Sequence, residues 1–317
     1  MQPPDASLVA RFAGDLDSLI SAEVRIGIAV SGGPDSLALL LLAAAARPGA
    51  VEAATVDHRL RPDSGDEGKI VSAICGRLGV PHEILPLEWS EQPQSNLQAR
   101  ARALRYDRLA DWSRRQDLAA IATGHHADDQ AETLLMRLAR GSGLSGLSAI
   151  RAIAELRSGC VIIRPLLRWR RAELAAIVDQ AGLVAIDDPS NRDPRHDRTR
   201  ARSLLAAMPW ADPVRLAEAA GHLREADEAL AWTTRRLAAE RVSRTGSAID
   251  IQPSGLPGDI QRRLLLDCLA ELGAPSPSGP ELSRALGALR DGRTVTLAGI
   301  KLEGGSTWRL SPAPPRR

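Results

Sequence analysis

The chain has 317 residues, more than one typical core needs and about right for two domains at roughly 150 residues each. Hydrophobic residues make up 44% and charged residues 25%, the balance of a soluble globular protein rather than a disordered one. The net charge of +2 is small, yet only Lys69 and Lys301 among the 41 basic residues are lysines, so any argument for an anionic partner rests on where arginines sit. Cys75, Cys160 and Cys268 lie far apart and form no CxxC, which argues against a zinc or iron–sulfur site and for a reducing, cytoplasmic setting. No amino-terminal basic-then-apolar signal is visible, and the apolar run 37–46 is shorter than the about 20 residues that span a bilayer.

In chain order, a strand is expected at 25–30, a helix at 37–46, a strand at 51–57, a helix at 64–78 and a strand at 82–87. A long arginine-rich helix follows at 96–115, a strand at 118–122, a helix at 128–140, a glycine-rich turn at 141–146, a strand at 160–163 and a helix at 171–181. Strands alternating with helices imply a parallel sheet covered on both faces, with every strand's carboxyl end on one rim. From about Trp210 the pattern shifts to helices at 213–241, 259–272 and 281–290, joined by proline-rich linkers, with a small hairpin or sheet at 294–310 and a loose tail after it. The reading is an α/β Rossmann-like domain over 1–210 and a smaller α-rich domain over 211–317.

The first strand runs directly into Ser31-Gly32-Gly33-Pro34-Asp35-Ser36. Two adjacent glycines let the backbone approach a ligand closely. Ser31 and Ser36 offer hydroxyls, and the helix behind them aims unpaired N–H groups and its positive end at the loop. This is an anion cradle suited to phosphate, but the lysine of a Walker A loop is absent. Asp35 puts a carboxylate where phosphates would sit, which calls for a divalent cation between them.

The second polar segment, Thr123 to Thr133, falls at another strand-to-helix junction. Asp129, Glu132 and Thr133 share one helix face, and acids in a first turn are favoured by the dipole. A capped, acid-started helix accounts for these residues taken alone. A site accounts for them too: on the same rim as Asp35, Asp129 could grip one Mg²⁺ against phosphates, with His125 and His126 as ligands, donors or packing groups. Arg100, Arg102, Arg105 and Arg108 recur along the long helix, either as phosphate contacts or as a solvated face.

The glycine loop resembles the SGGxDS loop of the PP-loop ATPases (adenine nucleotide alpha hydrolase-like proteins), which cut ATP between its α and β phosphates and adenylate a substrate. The segment from Thr123 through Leu147 resembles that of the tRNA(Ile)-lysidine synthetase family, in its short form. Further blocks match in order: Asp57-His58-Arg59-Leu60-Arg61, with Arg59 where glycine is usual; Asn96, Ala101, Arg102, Arg105 and Tyr106; Arg164 to Leu167; and Asp188, Ser190, Asn191, Arg198 and Arg202. Thr199 and His196 replace the usual asparagine and tyrosine.

The resemblance implies ligation of L-lysine to C2 of the wobble cytidine of the CAU anticodon of tRNA(Ile), through an adenylated cytidine. It implies ATP as co-substrate and Mg²⁺ held by Asp35 and Asp129. Asp35, Asp129, Glu132 and Arg198 would be catalytic; Ser31, Gly32, Gly33, Pro34, Asp35, Ser36, Asp57 and His58 would bind ATP; His126, Arg102, Arg105 and Arg202 would face lysine or tRNA. No membrane partner is expected, and a homodimer is left open. The rival readings are a 2-thiocytidine-type thiolase, which should carry a CxxC pair near the site, and a nucleotide-binding module without chemistry.

Overall fold

The computed structural model describes residues 1–59, 64–89, 97–156, 158–186 and 197–313. Leu60, Arg61, Asn96, Asp188, Ser190, Asn191 and His196, all named above, lie outside them. The chain divides into two compact units, Met1–Gly141 with Gly146–Gly221, and Ser142–Ser145 with His222–Arg317.

The first unit is built on six strands: β1 (Ile26–Ala29), β2 (Val51–Asp57), β3 (His82–Pro86), β4 (Ala120–Ala122), β5 (Ile153–Glu155) and β6 (Val161–Ile163). Their order in the sheet is β3-β2-β1-β4-β6-β5, so β1 is interior and the chain reverses direction of travel across the sheet there. All pairs are parallel except β5 with β6, an antiparallel edge the sequence reading did not include. Parallel strands need crossovers, and helices supply them.

Helix α1 (Ala6–Asp17), not foreseen from sequence, starts where Asp5 accepts the Ser7 amide. Helix α2 (Pro34–Ala46) is apolar on every side, and Leu37 to Ala43 are all buried, so it lies in the core between the sheet and its neighbours. With α3 (Ser64–Leu78) and α7 (Arg171–Gln180) it forms one large cluster that includes Phe12, Leu16, Ile28, Ile74, Trp169 and Ile177. A separate cluster carries α4 (Leu97–Arg115), whose Leu109 and Trp112 pack with Leu85, Ile121 and Ile162. Gly27 makes room for it: a Cβ there would come within 2.5 Å of the Trp112 ring. Helices α5 (Ala127–Ala139), α6 (Leu144–Leu147) and α8 (Asp197–Ala206) complete the set before α9 (Pro213–Arg241). The short α6 occupies part of the stretch read as a glycine-rich turn, and α8 was not foreseen.

The second unit holds a five-stranded antiparallel sheet in the order β7-β8-β11-β10-β9. Its strands are β7 (Val242–Thr245), β8 (Ala248–Ile251), β9 (Thr294–Leu297), β10 (Ile300–Glu303) and β11 (Trp308–Pro312). Helices α10 (Gly258–Glu271) and α11 (Gly279–Arg290) close a core of Ile251, Leu264, Leu265, Leu289, Leu302, Trp308 and Leu310. The helices stand where the sequence placed them. The sheet is larger than the hairpin or sheet expected at 294–310, because it also takes in β7, just past the expected helix, and β8, which overlaps the expected proline-rich joint. Ser311 and Pro312, read as tail, end β11. Among the described residues, no helix is long and apolar enough to cross a membrane.

Candidate active site

A cavity of about 710 Å³ opens on the carboxyl rim of the first unit's sheet. One wall is the turn from β1 into α2. Gly33 stands just before the helix and Pro34 opens it, where a missing N–H costs nothing. Asp35 and Ser36, expected in the loop, therefore lie in the first turn, whose amides have no intrahelical acceptor. Ser36 braces the turn: its hydroxyl donates to the Gly33 carbonyl at 2.9 Å and accepts the Ser31 amide at 3.1 Å. Gly32 has φ +81°, and a Cβ on it would meet Cδ1 of Ile186 at 2.3 Å. The Gly32 carbonyl accepts the Ile186 amide at 2.9 Å, which holds the segment after α7 against the turn.

The neighbouring junction, from β4 into α5, closes on the first. Gly124 permits it, since a Cβ there would lie 3.0 Å from the Asp35 carbonyl oxygen. His126 starts α5 in a reciprocal cap, its Nδ1 accepting the Asp129 amide while Asp129 Oδ2 accepts the His126 amide. With Nδ1 so used, Nε2 carries the proton in the neutral ring, and it stands 3.4 Å from Asp35 Oδ2 and 3.6 Å from Asp129 Oδ2. Burial alone opposes a charge on His126, but the bond with Asp35 and the charges of Asp129, Asp35 and Asp128 outweigh it and hold its pKa above the ordinary value. Burial pushes the Asp129 carboxyl up, more than His126 and Arg198 draw it down. Asp128 Oδ2 stands 3.7 Å from His126 Nδ1 and accepts the Arg171 amide at 2.9 Å, at the start of α7.

Helix α8 brings two arginines onto α5. Arg198 donates through Nε to Glu132 Oε2 and through Nη2 to Asp129 Oδ1, both at 2.7 Å, and Arg202 donates to Glu132 Oε1 at 2.8 Å. Glu132 is fully enclosed by this clamp. A surface pair of Arg198 with Asp197 is not formed; Asp197 instead pairs with Arg140 and Arg200.

Of the residues singled out from sequence, Ser31, Gly33, Pro34, Asp35, Ser36, Asp57, His58, Arg105, Asp129, Arg198 and Arg202 line the cavity. Gly32, His126 and Glu132 support it from beneath, and Arg102 lies beside Arg105 on α4. His125, named with His126 as a ligand, donor or packing group, also lines it, as do Thr123, Glu67, Arg171 and Ile186, to which the sequence gives no role. His125 was visible in the motif. Its neutrality was not: burial and then Arg164, Arg105, Arg198 and Arg102 push its pKa down to about 2.

A divalent cation can be tested against these groups. Asp35 Oδ1 is buried and has no hydrogen-bond partner, the state of a carboxylate oxygen left for a cation. Both Asp129 oxygens are engaged, though a carboxylate keeps spare lone pairs. Among the described residues, no group of three His, Cys, Asp or Glu side chains is set to hold a metal. That pattern suits an ion gripped by one or two carboxylates together with substrate phosphates, as Mg²⁺ is.

The PP-loop domain family matches residues 6–208. A tRNA(Ile)-lysidine synthase of Zymomonas mobilis is 44% identical over 308 residues, covering 96% of this chain and 92% of its own length. One from Novosphingobium aromaticivorans is 45% identical over 312 residues, covering 97% and 94%. The solved structure of the U34-tRNA thiolase NcsA from Methanococcus maripaludis, with its 4Fe-4S cluster, shares the fold at a TM-score of 0.56 and 16% identity, covering 69% of this chain and 79% of that one. Matched over nearly its whole length, with its glycine turn and acidic helix on one rim, the chain belongs to the tRNA(Ile)-lysidine synthase family and carries that family's PP-loop domain.

Proposed function

We propose that this protein ligates L-lysine to C2 of the wobble cytidine in the CAU anticodon of tRNA(Ile), consuming ATP and releasing AMP and pyrophosphate. The observation that carries this reading is the match to relatives of that name over 96% and 97% of the chain. The cavity supports it, because it joins a phosphate cradle to a set of acids and arginines suited to a charged reaction.

The turn from Ser31 to Ser36 receives the pyrophosphate portion of ATP on its free first-turn amides, with Asp57 and His58 on the same wall. A pyrimidine carbonyl is a poor electrophile. Transfer of the adenylyl group to O2 makes that oxygen a leaving group, the lysine amine adds at C2, and AMP departs. Asp35 and Asp129 would hold Mg²⁺, which when bound offsets phosphate charge. Arg198, fixed by Glu132 and Asp129, orients lysine, cytidine or the α-phosphate, with Arg202 beside it. His126, enclosed at the junction, positions Asp35 and Asp129 rather than touching substrate. Residues 1–210 carry this chemistry, and residues 211–317 grip the tRNA.

Thiolation is disfavoured because, among the described residues, no cysteine lines the cavity, and burial pushes the Cys75 and Cys268 thiols up to about 12. A module that merely bound adenine would not need the clamp of Glu132 and Asp129 on two arginines. The test is to incubate tRNA(Ile) and methionine tRNA with ATP, Mg²⁺ and radiolabelled lysine. Label should enter only tRNA(Ile), and only with cytidine at the wobble position. Equal labelling of methionine tRNA, or labelling of a wobble uridine variant, would overturn the assignment. ATP–pyrophosphate exchange, with and without lysine and tRNA, separates ligase from mere binder.

A further inference from the structure

Helix α4 treats its arginines in two ways. Arg108, Arg114 and Arg115 each have a carboxylate partner, in Glu88, Asp111 and Glu83. Arg102 and Arg105 have none among the described residues; nor does Arg164, which stands just beyond β6, donates to the Arg151 carbonyl at 2.7 Å and lies close enough to Tyr106 for its charge to act on the phenol. These three guanidinium groups converge on one side chain, Tyr106. Arg102 and Arg105 stand 5.1 and 5.2 Å from its ring centre, and Arg102 Nη2 reaches its hydroxyl at 3.4 Å.

Uncompensated positive charge in a partly buried place is costly unless something anionic shares it. Here polar atoms also remain unused: the Nε donors of Arg105 and Arg164, and Nδ1 of neighbouring His58, are buried without partners. Burial, and after it the charge of Arg105, lowers His58; burial, and after it Arg164, Arg105, Arg198 and Arg102, keeps His125 neutral. Burial alone would raise the Tyr106 pKa, but Arg105, Arg102 and Arg164 outweigh it and hold the phenol below its ordinary value.

We propose that Arg102, Arg105 and Arg164, gathered round Tyr106, form a receptor for one backbone phosphodiester of the RNA substrate, beside the cavity in which its base reacts. The inference rests on the reading that RNA is the substrate, and it adds which part of the RNA is held and by what. The cluster's layout favours a polymer over a free anion. Arg102 is exposed, Arg105 lines the cavity, and Arg164 is buried behind them, so the charge leads from solvent to the cavity wall. A nucleotide that inserts its base while its backbone stays at the mouth would lay a phosphate along that path. The phosphates of ATP have their own cradle at the start of α2. Forked guanidinium groups match the two free oxygens of a phosphodiester, and the phenol oxygen marks where such an oxygen would accept their bonds.

Tyr106 is the only tyrosine in the chain, so it reports on this site alone. The full-length protein is labelled with 13C at the tyrosine Cζ, and its titration is followed by NMR with no ligand, with pyrophosphate, with lysine, and with a 2′-O-methyl anticodon stem-loop that withstands alkali. The stem-loop should raise the Tyr106 pKa toward its ordinary value, because a bound anion offsets the arginines; pyrophosphate and lysine should leave it in place. In parallel, Arg102→Gln should weaken stem-loop binding about tenfold and reduce the slope of log K against log salt by about 0.7 to 0.9, with ATP affinity retained. Arg102 is exposed, so this variant does not disturb the core; Arg164→Gln should repeat the effect. A tyrosine that ignores the RNA, or one that moves with lysine or pyrophosphate instead, overturns the receptor, as does an Arg102→Gln protein with unchanged RNA affinity and salt slope. If the stem-loop binds and shifts Tyr106 while labelled lysine never enters tRNA(Ile), the receptor stands and the lysine-transfer reading falls.

Discussion

Nε2 of His126 stands 3.4 Å from Oδ2 of Asp35, so the start of α5 is tied to the start of α2 through one buried imidazole. The folded protein holds the His126 pKa above its unfolded value, the partners being Asp35, Asp129 and Asp128. A raised pKa contributes stability that is complete below the unfolded value of about 6.5 and is lost as pH rises through the folded value. Asp129 is raised as well, and its contribution fades over a lower window that begins near the ordinary carboxylate value. Without added divalent cations, melting temperature should therefore fall from pH 6 toward pH 8.5, and His126→Gln should flatten that fall. An unchanged slope in the variant would place the titration elsewhere.

Asp35→Asn and Asp129→Asn each keep the side-chain shape and remove a carboxylate from the junction. Adenylation should drop by roughly two orders of magnitude or more, the scale for losing one key electrostatic group. Circular dichroism should show both variants folded. Near-wild-type turnover in folded Asp129→Asn would end its assignment to Mg²⁺.

Gly32 and Gly49 have similar positive φ, +81° and +77°, but only Gly32 is crowded, by Ile186 at 2.3 Å. Gly49→Ala should cost about 1 kcal/mol of backbone strain and leave ATP binding intact. Gly32→Ala adds a clash at the phosphate turn, so it should lower the melting temperature further and weaken ATP binding at least tenfold. Equal behaviour of the two variants would show that Ile186 yields freely.

The alternating core of the first unit was legible because strong local signals marked it. Residues 51–57 emerge as β2 with the bounds expected, and the all-apolar run after the glycine turn could only be a buried helix. What sequence did not reveal depends on partners far along the chain. Helix α8 has no apolar stripe; it is fixed by Arg198 and Arg202 on Glu132, 66 and 70 residues away. Strand β5 is three residues of a half-exposed edge, too short to show a period. Strands β7 and β8 are four residues each, and the core they reach includes Trp308 and Leu310 of β11. At the site, motif residues were found by type and position. Which of them face the cavity was not, since Glu132 and His126 look from sequence like any polar member of a rim, and only packing places them beneath it.

Glu132 is where structure and chemistry are most tightly joined. It is enclosed, and its two oxygens bind the Nε groups of two arginines that are themselves partly exposed to the cavity. We propose that it aims Arg198 and Arg202. Glu132→Gln keeps the shape and one acceptor, but its amide end faces a guanidinium, donor against donor. The buried polar group left unsatisfied should cost about 1 to 3 kcal/mol of stability. Because Arg198 keeps its bond to Asp129, the helix should stay docked, and ATP should still bind at the α2 turn. The loss should therefore appear in kcat, by about a hundredfold, with the KM for ATP little changed. Removing Arg202 as well, by Arg202→Gln, should restore part of the stability, because the amide then meets an amide, and should restore none of the rate. A double variant whose rate recovers with its melting temperature would reduce the clamp to a structural pair.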